Sequence, residues 1–145
     1  MSLTLKLTPR GRVIINGCMI RNDKRTQSFT VENKADILLE NHMITQKEAE
    51  ATISGRISFM IQTALINPEA RDRLVPQIHE GIAKLAGVFG PDQRAALIEA
   101  GTEVSQHNFF KAMRCLKPVR ERESELIDFI KEREAASETA DRAEP

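Results

Sequence analysis

The dipeptide Asn16-Gly17, set between the apolar runs "RVII" and "CMIR", constrains this chain more than any other feature. Two residues permit only a tight reversal, and Asn followed by Gly suits a type I′ turn because both central positions accept positive φ. The turn length also fixes register. Ile15 must face Cys18, so the numbers of opposed residues sum to 33 and Arg12 faces Arg21. The pleat puts Val13, Ile15, Cys18 and Ile20 on one side, the expected core side, and Arg12, Ile14, Met19 and Arg21 on the other.

The flanking sequence reads as strand too. Leu3, Leu5 and Leu7 alternate with Thr4, Lys6 and Thr8 before Pro9 and Gly11 end the run. "NDKR" makes a second turn, and "TQSFTV" reads as a further strand with Phe29 and Val31 on one side. Residues 1–44 are therefore expected to form an antiparallel β-meander built on the hairpin.

From Ile44 the apolar period lengthens. Thr45 and Glu48 make a capping-box pattern, and Ile53, Ile57, Met60 and Ala64 recur at helical spacing through about Ile66. Asn67-Pro68 opens a second helix lined by Leu74, Ile78, Ile82, Leu85 and Phe89, which Pro76 must kink or start. Gly90-Pro91 opens a third, carrying Leu97, Ile98 and Val104, and "SQHN" breaks it before a fourth and longest. There Phe109, Met113, Leu116, Val119, Leu126 and Ile130 follow steps of three and four, Glu123 interrupts the stripe, and Pro118 is expected to bend the helix. After Lys131 no large apolar residue remains, so the tail is expected to fray and then lose order. The expected fold is α+β: a β-rich basic region at 1–44, a bundle of about four α-helices at 45–133, and a disordered tail at 134–145.

Charge is uneven although the formal total is zero. Residues 1–44 carry seven Lys or Arg against four Asp or Glu, net +3, whereas 45–108 are net −2 and 109–145 net −1. Arg10, Arg12, Arg21, Lys24 and Arg25 gather at one end of the hairpin. Two readings compete there. Edge strands carry Lys and Arg to discourage intermolecular pairing. Alternatively, two arginines forced into opposition are mildly repulsive alone, and an anion would reverse the sign. Phe29, the one aromatic of residues 1–44, is assigned to the core side, so base stacking on the sheet is not supported and phosphate contact is what remains.

Other chemistry is sparse. His42, His79 and His107 show no metal-ligand spacing, and no phosphate loop, nucleophile elbow or cofactor motif is present. The chain reads as non-enzymatic, without a cofactor. Cys18 and Cys115 lie in apolar surroundings and are expected to be small core residues of a cytoplasmic protein. Neither a signal segment nor a membrane span is legible. Phe59, Phe89, Phe109, Phe110 and Phe129 read as core or helix-contact residues. The stripe of the last helix is longer than one small domain covers. Part of it, marked by Phe109, Met113, Leu126 and Ile130, is expected to dock on another chain, which self-association or a distinct partner would supply.

Three stretches, "LKLTPRGRVIINGCMIRNDKRTQSF", "ADILLENHMIT" and "HNFFKAMRCLKPVRERESEL", together resemble the FlbT family of alpha-proteobacterial flagellar regulators, in a match running from about Leu3 to Ile130. The resemblance implies a cytoplasmic post-transcriptional repressor that associates with the 5′ untranslated leader of flagellin mRNA and promotes its decay. It also implies a helical partner of the FlaF type, and it makes the five basic residues the RNA-binding candidates. A protein-binding adaptor acting on flagellin or a FlaF-type protein, with indirect RNA association, is the alternative. Family members differ in whether they repress or support flagellin synthesis.

Overall fold

The computed structural model describes residues 2–143. Five strands, β1 (Leu3–Leu7), β2 (Arg12–Ile15), β3 (Cys18–Arg21), β4 (Gln27–Val31) and β5 (Ile37–Leu39), precede five α-helices. These are α1 (Gln46–Ala51), α2 (Ile53–Ile66), α3 (Arg71–Ala86), α4 (Pro91–Ser105) and α5 (Phe109–Ala143), with single 3-10 turns at Glu40–His42 and Pro68–Ala70. The class is α+β.

The hairpin has the register its turn dictates: Arg12 opposes Arg21, Val13 opposes Ile20, Ile14 opposes Met19 and Ile15 opposes Cys18. Asn16 and Gly17 take φ of 49° and 79°, the positive pair of a type I′ turn. The strands do not form a meander, however. β4 crosses over to pair with β1, setting Leu5 opposite Phe29, and β5 occupies the other edge of β2 in the order β3-β2-β5.

This topology makes β2 a central strand with two buried faces. Val13, fully buried, joins Leu5 and Leu7 in a small core that Phe29, Val31, Ile37 and Leu39 complete. Ile14, pointing the opposite way, packs with Leu38 into the large helical core. The three-stranded sheet therefore divides two cores, with the β1–β4 ribbon over one face and the helices under the other. The expected one-sided hairpin is corrected accordingly. β3 is an edge strand with Cys18, Met19 and Ile20 all exposed, because neither core extends over it.

The first expected helix is two. Thr52 adopts an extended conformation and its hydroxyl accepts from the Gly55 N–H, starting α2 just after α1, itself capped by Thr45 through the Glu48 N–H. Pro76 does not start a helix, since α3 begins at Arg71. The break before α5 is real, with His107 at a φ of 60°. α5 then runs unbroken for 35 residues, through Pro118, a length of about 52 Å.

Along α5 the stripe divides. Phe109, Met113, Leu116 and Val119 are buried against α2 and α4, Leu126 is half-buried, and Phe129 and Ile130 are 58% and 52% exposed. Phe109 and Met113 are therefore buried in the core, and Met113 also lines a cleft beside α5. Glu123 interrupts the stripe because its carboxylate accepts from the Ser54 N–H in the first turn of α2. Residues 131–140 are exposed throughout, so the tail adds nothing to the core, as its composition requires; it is nevertheless helical to Ala143 and not coil. Glu144 and Pro145 lie outside the described residues. Among the described residues no helix is long and apolar enough to cross a membrane.

Candidate nucleic-acid interface

The five basic residues stand at the end of the hairpin remote from its Asn-Gly turn, but in different electrostatic states. Arg12, at the start of β2, is committed. Its backbone N–H and its side-chain Nε–H both donate to the Glu40 carboxylate, each at 3.1 Å. Glu40 follows β5 directly, and because β5 pairs with β2 the strand order itself brings the two residues together. The two Arg12 hydrogen bonds hold the Glu40 carboxyl below its ordinary pKa, and the Arg21 charge adds to the effect.

Arg10 sits in the loop between β1 and β2 with a φ of 62°. Its backbone N–H donates to the Asp23 carbonyl at 2.9 Å, and its guanidinium reaches the Asp23 carboxylate only loosely, at 3.9 Å between exposed groups. Exposed pairs of that kind contribute little. Arg21, Lys24 and Arg25 are exposed and form no ion pair among the described residues. Three uncommitted cations thus follow one another around the β3–β4 turn, with Arg10 beside them.

Asn22 holds this turn in shape. Its side-chain amide, buried, donates to the carbonyls of Leu7, Thr8 and Arg25 at 3.1, 2.9 and 2.8 Å, while its backbone N–H donates to the Gly11 carbonyl. One side chain therefore ties the β1–β2 loop to the β3–β4 turn and fixes the backbone on both sides of Lys24. Sequence reasoning assigned Asn22 only to a turn and did not single out Glu40. The signal for Asn22 was its place at the head of "NDKR"; for Glu40 there was none without β5.

The other end of the hairpin faces the helices. A Cβ on Gly17 would lie 2.9 Å from the Leu65 carbonyl, and the Asn16 Oδ1 accepts from the Asp36 N–H at 2.8 Å. That docking leaves only the basic end free. The residues proposed for partner docking separate, as described above: Phe109 and Met113 are interior, and only Leu126 and Ile130, with Phe129, reach the outer surface of α5. Among the described residues no cluster of His, Cys, Asp and Glu is arranged to hold a metal ion.

Residues 3–127 match the family model described as Flagellar protein FlbT. A probable flagellum biosynthesis repressor protein FlbT of Allorhizobium ampelinum is 29% identical over 125 residues, covering 83% of each chain. The protein of the same name in Rhizobium leguminosarum is 27% identical over 128 residues, covering 88% of this chain and 85% of its own. That of Rhodopseudomonas palustris is 27% identical over 130 residues, covering 88% of this chain and 98% of its own. No solved structure matches. With the family model spanning all five strands and all five helices up to the exposed end of α5, this chain belongs to the FlbT family of flagellar proteins.

Proposed function

We propose that the protein is a cytoplasmic post-transcriptional regulator of flagellin synthesis, which binds the 5′ untranslated leader of flagellin mRNA through the basic end of its hairpin and promotes the decay of that message. Relatives named as probable flagellum biosynthesis repressors support the regulatory part of this reading. One observation supports the RNA-binding part: Arg21, Lys24 and Arg25 are exposed, without ion pairs among the described residues, on a turn tied by the Asn22 side chain. Uncommitted cations on a fixed backbone are what phosphate contact requires, and they carry no base preference by themselves. Arg10 extends the patch. Arg12 orders it through Glu40 and keeps two terminal guanidinium nitrogens for a phosphate.

A second reading has its own support. The exposed Phe129 and Ile130 on a helix that outruns the core suit a protein-binding adaptor, engaging flagellin, a FlaF-type regulator or a second copy of the chain. Binding of the purified protein alone to a flagellin leader RNA separates the two. Direct association that weakens steeply with salt supports the RNA-binding reading, whereas no association without a second protein favours the adaptor.

A further inference from the structure

An open cleft of about 550 Å³ lies between the β5–His42 segment and α5, and its lining residues Asn41 and His42 follow directly on Glu40, the partner of Arg12. Its floor is apolar, with Leu38, Met43, Phe110 and Met113 among its lining residues. Its α5 wall is basic. Arg114, Lys117 and Arg120 recur at steps of three, spanning about 9 Å along the helix, and Glu48 is the one carboxylate lining the cleft.

Arg120 is in an unusual position for a cation. Its Nε is buried with no hydrogen-bond partner, and the side chain forms no ion pair among the described residues. Burial disfavours its charge, and the Glu48 and Glu121 carboxylates offset that only in part. A half-buried guanidinium left short of partners is stabilised by an incoming carboxylate.

We infer that this cleft is a docking site for an acidic, amphipathic peptide segment of a partner protein, with an apolar side chain against Phe110 and Met43 and carboxylates on Arg114, Lys117 and Arg120. Charge complementarity selects the occupant. The chain's own tail carries Glu132, Glu134 and Glu138 but no large apolar residue, so it lacks the anchor. A phosphate backbone would meet the cations but leave the apolar floor unfilled.

The test uses the full chain and three labelled synthetic peptides, followed by fluorescence anisotropy: one alternating Glu and Phe, its Gln-for-Glu analogue, and an all-Glu peptide. The Glu/Phe peptide is expected to bind, and each of the other two to bind at least about tenfold more weakly. Arg114→Glu with Lys117→Glu, both exposed on α5, should weaken the Glu/Phe peptide by a further factor of about ten or more. Arg114→Gln with Lys117→Gln serves if the reversal disturbs folding. Equal binding of the Gln analogue, unchanged binding in the variants, or no binding of the Glu/Phe peptide at about 1 mM overturns the inference. So does loss of single-stranded polyuridine binding in these variants without peptide binding, which would make the cleft an RNA site.

Discussion

Glu40 accepts two hydrogen bonds from Arg12, one from the backbone and one from the side chain, and so closes the corner where β2, β3 and β5 meet. Arg12 and Arg21 face each other across the hairpin, and Glu40 supplies the anion their repulsion calls for. The turn-imposed opposition of two arginines is therefore eased within the fold, and Arg21, which makes no ion pair among the described residues, is left with Lys24 and Arg25 for an external anion.

A depressed carboxyl pKa stabilises the fold above the ordinary carboxylate value, and that contribution is lost as pH falls through the lowered one. Glu40 is expected to titrate below an ordinary glutamate when its carboxyl is followed by NMR. In Arg12→Gln the value should rise towards normal. A Glu40 titration that does not respond to the substitution would show that the two groups are not coupled in solution.

Asn22→Ala removes the donor shared by the Leu7, Thr8 and Arg25 carbonyls, and the buried Leu7 carbonyl loses that bond while Thr8 keeps the Gly11 N–H. The cost should be about 1–3 kcal/mol in chemical denaturation. Hydrogen exchange should quicken in the 8–11 and 22–26 loops before it does in the helices. An unchanged midpoint would mean that the turn is held by its backbone alone.

The distal part of α5 behaves differently because nothing covers it. Truncation after Arg133 should leave the melting temperature unchanged, since residues 134–140 are exposed. Phe129→Ser with Ile130→Ser should likewise leave folding intact while weakening any self-association or partner binding, read by analytical ultracentrifugation and pull-down. A large fall in melting temperature in either variant would show that this surface packs on the body of the protein.

Much of the local structure was legible because short-range chemistry dictates it. Asn16-Gly17 determined the strand register, and Thr45 the start of α1. What failed was the choice of buried face. Alternation assigns one core side to a hairpin, but β2 has two, since β5 covers its free edge and the β1–β4 ribbon covers one face. β5 is only three residues long, too short to show a period. The same error placed Cys18 in the core, whereas it lies on the uncovered edge. Glu123 was visible as an interruption in an apolar stripe, but its reason, the start of α2, lies 69 residues away. In the site, the charges were legible and their pairing was not: which arginine is spent on a carboxylate depends on Glu40, which only the tertiary strand order brings near.

Binding of the flagellin leader RNA across a salt series, for the natural protein and for Arg21→Gln/Lys24→Gln/Arg25→Gln, asks whether the uncommitted cations hold phosphate. All three side chains are exposed and make no ion pair among the described residues, so the variant should fold and melt as the natural protein does. Each lost contact to a single strand lowers the slope of log affinity against log salt by about 0.7, so the triple variant should lose about 2.1 in slope together with most of its affinity at low salt. An affinity and a salt slope indistinguishable from those of the natural protein would contradict the RNA-binding role of the hairpin and leave the adaptor reading in its place.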